Sequence, residues 1–447
     1  MNFKKSIIWA ITSALLLISV ISAEVPRGDK DAGKTAASRL AKLDDTNPKA
    51  TFFNINSWKI QMENTGFFQW NGTSHGSAGN YPKGMGGVIF AEGILWGAKV
   101  SDKYGVKSDG SILTDGTGGG TPRIRVNGSM YNTGLKAGKV LLDASGKVKT
   151  TGYSENYRTQ QVWRVRKDFY RGNLRGDAAI LRDISAENVT DAQMDADRAQ
   201  YQHDWDHWPV DEGAPYDDVN GDGSYTPATW NEENKSWTGD LPGIPGADQT
   251  VWTVANALPD AFPERGIPFS VSEGGWGSPP IGFEMQSTLW GYDFPFSNPL
   301  SSMMFKRARM IYVGLPGGPD DAMLDTLYFT QWSDPDLGTY TDDYVGCDTT
   351  LSLGYVYNGN TFDDQFMSSY GSPVPAGGYD FLEGPKVDSD GDGVLDTLGM
   401  TSFVYFAAGS SVSDPSTRVY AGTLQWFNLM EGFLPRPEEP GRRDIAE

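Results

Sequence analysis

Apolar and polar positions alternate over short distances along most of this chain. Residues 52–62 alternate, and residues 86–100 (GGVIFAEGILWGAKV) read as two buried strands or a strand and a bend, with Phe90 and Trp96 as core candidates. Residues 162–168 set Trp163 and Val165 against Arg164, Arg166 and Lys167. Period-two runs of this length predict strands with one or both faces covered. Further runs fall at 283–292, 303–313, 324–332, 351–357 and 401–408. The segment 314–321 carries Pro316, Gly317, Gly318 and Pro319, and predicts that 303–313 and 324–332 form a long hairpin.

Helical character is concentrated at 188–206. Thr190 can cap, Asp191 lies in the first turn, and Ala192, Met194, Ala196 and Ala199 favour helix. After Pro209 the chain is loop-rich to Thr250. The expected fold is therefore mainly β: sandwich-type domains with long loops and one short helical segment around 190–206. A division follows from the same texture. Residues 24–50 form a polar linker with a short helix near 36–43. Residues 51–260 form an N-terminal β-rich domain with a helical insert and a calcium-type loop. Residues 261–435 form a C-terminal β-sandwich domain, and 436–447 a disordered tail.

The first 23 residues have another character. Lys4 and Lys5 precede an apolar run from Ile7 to Val20, and Ala23 suits the residue before a cleaved bond. This is the layout of a secretory signal, and the run is shorter than the roughly 20 residues of a spanning helix, the alternative being a membrane anchor. Cleavage near Ala23 would leave a chain with no later stretch apolar enough to span a bilayer, secreted or held in the periplasm or at the cell surface. The residue directly after the cleavage position is Glu24, not cysteine, which disfavours a lipid anchor.

Composition narrows the partners. Losing Lys4 and Lys5 takes the formal charge from −20 to −22, so phosphate backbones are repelled and nucleic acid is excluded as a partner. The carboxylates favour hard cations such as calcium. Cys347 is the only cysteine, so no internal disulfide framework exists. Fourteen Trp, 20 Tyr and 21 Phe supply a core, while 54 Gly and 26 Pro favour turns over long helices.

Two segments have the ligand spacing of calcium loops. Asp218, Asn220 and Asp222 stand at loop positions one, three and five, before Gly223 and with Ser224 at position seven. Asp388, Asp390 and Asp392 repeat the arrangement before Gly393, with Val394 offering a backbone carbonyl and Asp396 a carboxylate at position nine. Alternate side chains converge when such a loop wraps an ion. Thr229 and Gly399 stand where an EF-hand has its closing Glu, so these resemble the helix-free loops of dockerin and thrombospondin-type repeats; the alternative is an ion-free acidic turn.

A third acidic group, Asp334, Asp336, Asp342, Asp343 and Asp348, lies between two predicted strands. It suggests another cation or a tightly hydrogen-bonded turn. A carboxylate pair for glycoside hydrolysis would need a particular separation across a cleft. His203 and His207 are four apart but are not an HExxH motif, because Asp204 follows His203; His75 or a carboxylate would have to complete a zinc site. Cys347 reads as a small buried hydrophobe. Arg27-Gly28-Asp29 is a three-residue match of the kind that recurs by chance, and the glycine run 116–121 (GTGGGT) lacks the ending of a phosphate loop.

The phrases DWDHWPVDEGAPYDDVNGDGSY (204–225), GADQTVWTV (246–254), PIGFEMQSTLWGY (280–292) and QWSDPDLGTYTDDYVGCDTTLSLGYVYN (331–358) carry a likeness. From Asn54 to Pro435 the chain resembles large secreted proteins of the Bacteroidota, Ignavibacteria and related marine lineages, associated with type IX secretion. The resemblance implies a secreted or surface protein whose shared aspartates have structural or ion-binding roles, and it brings no established activity. Family members commonly end in a β-domain that sorts them. No such region follows Pro435 here, so a truncated product or another route of release is expected. The function expected is that of an exported, calcium-stabilised surface or extracellular protein that binds an unknown ligand, a glycan or cell-surface component among the candidates. The alternative is a secreted hydrolase, acting on glycans through an Asp pair or on peptides through a metal.

Overall fold

A computed structural model describes residues 48–68, 77–101, 105–106, 112–113, 123–130, 134–154, 156–258, 276–316, 322–388, 390–406, 414–417 and 419–433. The leader, nearly all of the linker with its short helix and Arg27-Gly28-Asp29, His75, the 116–121 run and the C-terminal tail lie outside the described residues.

A central antiparallel sheet takes its strands in the order Trp163–Arg166, Gln249–Asn256, Phe283–Gly291 and Phe305–Tyr312, and Lys136–Ala137 adds to one end of the second. Both faces are covered, which is why Gln249–Asn256 is buried at every position. On one face Trp163, Val165, Trp252 and Val254 pack with Tyr201 and Trp205 of the helix Asp191–Asp206. On the other face, Val251 and Leu289 meet a four-stranded sheet through Phe53, Ile60 and Met62. Farther along that face, Ala255, Phe283 and Met285 meet Trp96, Ala98 and Val100. Those last three belong to a second sheet, ordered Met323–Asp334, Ala91–Ser101, Arg123–Gly128. Its outer face buries Leu95, Val126 and Trp332 under Trp426 and Phe427 of the helix Tyr420–Met430. Gly97 permits that approach, since a Cβ there would stand 2.8 Å from Met430 Sδ and 3.0 Å from the Phe427 ring. The molecule is thus mainly β, with sheets facing one another across apolar layers.

The helix expected at 188–206 forms as Asp191–Asp206. Thr190 Oγ1 accepts the Gln193 N–H at 3.2 Å, and Gln193 Oε1 accepts the Thr190 N–H at 2.8 Å, a reciprocal cap. The helices Arg175–Arg182, Asp364–Tyr370 and Tyr420–Met430 were not anticipated. The last (YAGTLQWFNLM) is apolar nearly all round, so its periodicity carries no helical signature. No helix among the described residues is long and apolar enough to cross a membrane.

Three expectations are corrected. Phe305–Tyr312 and Met323–Asp334 do not pair as a hairpin: the first pairs with Phe283–Gly291 and the second with Ala91–Ser101, in different sheets. A long connection leaves partner choice to burial, and in the second sheet Trp332 is fully buried and Phe329 packs edge-on to Phe283 at 5.9 Å. Residues 401–406 join no ladder; Phe406 instead packs edge-on to Trp426 at 5.6 Å, and 407–408 lie outside the described residues. The boundary at 260/261 does not separate the sheets, because Gln249–Asn256 pairs with Phe283–Gly291 at eight positions across it.

Candidate functional site

Residues 388–396 form the tip of a ribbon whose arms are Lys386–Val387 and Asp396–Thr397. The carboxylates of Asp388, Asp390 and Asp392 are each placed by at least one backbone N–H a few residues on. Asp388 Oδ1 accepts from Gly391 N at 2.7 Å and its Oδ2 from Gly393 N at 3.1 Å. Asp390 Oδ1 accepts from Asp392 N at 3.2 Å, and Asp392 Oδ1 from Val394 N at 2.7 Å. The curl needs φ of +80° at Gly391 and +84° at Gly393, conformations glycine adopts without a Cβ penalty. Asp388, Asp390 and Asp392 each offer an oxygen within 4.8 Å of the others, all exposed. Ligands at 2.3–2.6 Å around one ion lie within about 5 Å of each other, so these three fit a calcium-sized ion. Among the described residues no other three His, Cys, Asp or Glu side chains gather this closely.

Residues 218–225 adopt the same turn. Asp218 Oδ1 accepts from Gly221 N at 2.8 Å and its Oδ2 from Gly223 N at 2.8 Å. Asn220 Oδ1 accepts from Asp222 N at 2.9 Å, and Asp222 Oδ1 from Ser224 N at 2.8 Å. Two features set it apart. Asn220 Nδ2 donates to Asp222 Oδ2 at 3.0 Å. Asp240, fully buried, accepts from Val219 N at 3.0 Å and Thr226 N at 2.7 Å, clamping both ends of the loop. Sequence reasoning missed Asp240, whose one signal was its position before the Leu241–Pro242 strand that pairs with Tyr216–Asp217.

The third acidic group divides. Asp334 is buried at the end of Met323–Asp334, opposite Ala91. Asp336, Asp342 and Asp343 lie together with Asp363, a residue the sequence did not single out. Asp343 Oδ2 accepts from Leu337 N at 2.9 Å, Asp342 Oδ2 from Asn360 Nδ2 at 2.7 Å, and Asp363 from Thr339 N and Phe366 N, both at 2.7 Å. Asp342 Oδ1 and Asp343 Oδ1 are buried with no hydrogen-bond partner. Burial, then the nearby charges of Asp336, Asp342 and Asp363, pushes Asp343 up to about 8, and burial pushes Asp336 up to about 6.

The histidine pair ends the long helix. His203 and His207 stack at 4.7 Å, His203 lies on Trp163 at 6.0 Å, and its Nδ1 is 3.2 Å from buried Asp204 Oδ1, a contact that raises its pKa. His207 Nδ1 lies 3.0 Å from the His203 carbonyl. The half-buried Cys347 has its thiol pushed up by burial and then by Asp348, the opposite of a nucleophile's needs. Buried Glu92, also missed, accepts from Lys306 Nζ at 2.6 Å and from the Tyr379 hydroxyl, tying three sheets together.

Among the described residues are two concave surfaces. One, of about 310 Å³, has at its floor Glu284, whose oxygens accept from Val140 N at 2.8 Å and Gln286 Nε2 at 2.9 Å. The other, of about 240 Å³, is walled by Tyr170, Trp230 and Trp237. Neither is lined by the histidine pair or by the 334–348 carboxylates. No protein-family model, no curated protein and no solved structure matches this chain.

Proposed function

We propose that this chain is an exported, calcium-stabilised protein of the cell surface or extracellular space, and that it works by binding rather than by catalysis. The observation that carries the calcium part is the convergence of Asp388, Asp390 and Asp392 in a turn repeated, bond for bond in its main features, at 218–225. Three exposed carboxylates brought this close repel one another unless a cation lies between them. The leader of Lys4 to Ala23 supports export, where millimolar calcium can fill exposed loops of modest affinity. Among the described residues no third metal-ligating side chain gathers with His203 and His207, which weighs against the metal-peptidase reading, and the 334–348 carboxylates line neither of the two concave surfaces described above, which weighs against a glycosidase pair.

Thermal unfolding in calcium against excess chelator, with calcium measured after desalting, tests the reading. A ligand bound only by the folded chain stabilises it by roughly 2.7 kcal/mol at a hundredfold excess over Kd. Calcium is expected to raise the midpoint, and the pair Asp390→Asn and Asp392→Asn to remove most of the rise contributed by the second loop. No retained calcium together with no shift would leave both loops as acidic turns.

A further inference from the structure

We infer that the pocket between the hairpin at 229–238 and the strand ends of the central sheet binds a neutral saccharide unit. The inference rests on the reading of this chain as a binding protein and is independent of its calcium loops. The pocket wall is an aromatic ladder running outward from the core. Buried Trp205 of the long helix stacks on Trp237 at 4.6 Å, Trp237 meets Trp230 at 5.4 Å, and Tyr170 contacts both, at 5.0 and 4.9 Å. Trp230 and Trp237 face each other across the hairpin, and Trp230 Nε1 donates to Glu232 Oε1 at 2.9 Å. The rings are therefore held in place before any ligand arrives, yet they stay half-buried at the rim of a cavity. Pre-set aromatic surface lowers the entropy cost of binding.

The floor is polar, with Ile55 its one aliphatic side chain. Its charges decide the ligand. Asp168 is held in a two-point pair by Arg166 at 2.5 and 2.7 Å, which leaves Lys167 and Arg171 against Asp248 and Asp293. An anion such as sulfate or phosphate would meet those two carboxylates. A cation seeking an aromatic cage would meet the positive charge of the Arg171 guanidinium, which lies 4.7 Å from the Trp230 ring and 5.3 Å from the Tyr170 ring and repels like charge but not a neutral ligand. A neutral polyhydroxylated ring suits both halves: its C–H face packs on the aromatic wall, and its hydroxyls bond to Asp248, Asp293, Lys167 and Arg171. The volume of about 240 Å³ lies below the roughly 300–1,000 Å³ of drug-sized sites and suits a short sugar unit at a chain end or side branch, not a peptide.

Native gel electrophoresis of the exported chain through laminarin, xylan, mannan and pullulan, in calcium and in chelator, tests this, followed by titration with oligosaccharides of whichever polymer retards it. Retardation by at least one polymer is expected, with Trp230→Ala weakening binding roughly tenfold or more and Trp230→Phe restoring part of it. Asp293→Ala changes an exposed rim position and keeps the test open should Trp230→Ala unfold. Mobility unchanged in all four polymers overturns the inference, as does wild-type retardation in folded Trp230→Ala or Asp293→Ala. A calcium shift without retardation defeats only the saccharide site, and retardation without a calcium shift defeats only the calcium reading.

Discussion

The loops at 218–225 and 388–396 share a local fold and differ in everything around it. Both curl through a leading aspartate that accepts two or more backbone N–H groups, and both turn at two glycines of positive φ. The first is fastened to the core: Asp240 holds its two ends, and the Tyr225 hydroxyl donates at 2.6 Å to the Trp205 carbonyl in the long helix. The second hangs from a two-stranded ribbon whose four strand residues are all exposed. Within the first, the Asn220 amide offsets part of the charge on Asp222, whereas the second sets three carboxylates against each other. A short motif thus specifies a turn, while its surroundings set how much of the fold depends on it and how strongly it calls for a cation.

The anchor offers the hardest test of that contrast. Asp240→Ala removes a buried carboxylate and leaves two part-buried N–H groups without it, and is expected to cost about 3 kcal/mol, read by denaturant unfolding. The same change should abolish calcium uptake by the first loop alone, lowering bound calcium by one ion. A loss under about 0.5 kcal/mol, the range of an ordinary surface change, would mean the two loops are equally peripheral.

The acidic group around Asp343 sharpens the comparison from the buried side, where charge costs more than at an exposed tip. Its folded-state pKa of about 8 lies above the ordinary 3.8, so the folded chain holds the proton more tightly than the unfolded chain. The stabilising effect of that proton is fully present below about pH 4 and is lost as pH rises through 8. Asp336, raised to about 6, gives up its share earlier, between roughly 4 and 6. In excess chelator, Asp343→Asn is expected to be more stable than wild type at pH 9 by on the order of 2 kcal/mol, each tenfold change in proton affinity being worth about 1.4 kcal/mol. Parallel unfolding midpoints for the two proteins from pH 5 to 9 would refute it.

The smallest effect concerns one amide. Asn220→Asp gives the first loop the second loop's charge and removes the 3.0 Å bond to Asp222. It should cost the calcium-free protein about 0.5 kcal/mol and tighten calcium binding about tenfold, measured by titration calorimetry. An unchanged affinity would show that the core anchor, not the ligand charge, sets the difference between the loops.

Much of this was legible along the chain because the relevant bonds close within five residues. The Thr190–Gln193 cap and both aspartate turns are of that kind, and each appears where residue spacing places it. The mainly β texture was legible for the same reason, through alternation at 162–168 and 283–292. Strand partners were not: Met323–Asp334 and Phe305–Tyr312 are neighbours in sequence yet pair into different sheets. Tyr420–Met430 lacked a polar face to betray its period, since it is enclosed by a sheet and by Trp276.

The sequence alone therefore determined the turns, the caps and the strand-rich character, which local hydrogen bonding and side-chain period decide within a few residues. Only the tertiary structure decided that Asp240 would anchor a loop some twenty residues earlier, that Asp363 would crowd Asp336 and Asp343, and that Trp205, Trp237 and Trp230 would form one aromatic ladder. Those pairings join segments far apart along the chain, and which segments meet is settled by the burial of whole faces together, a property no single window of residues contains.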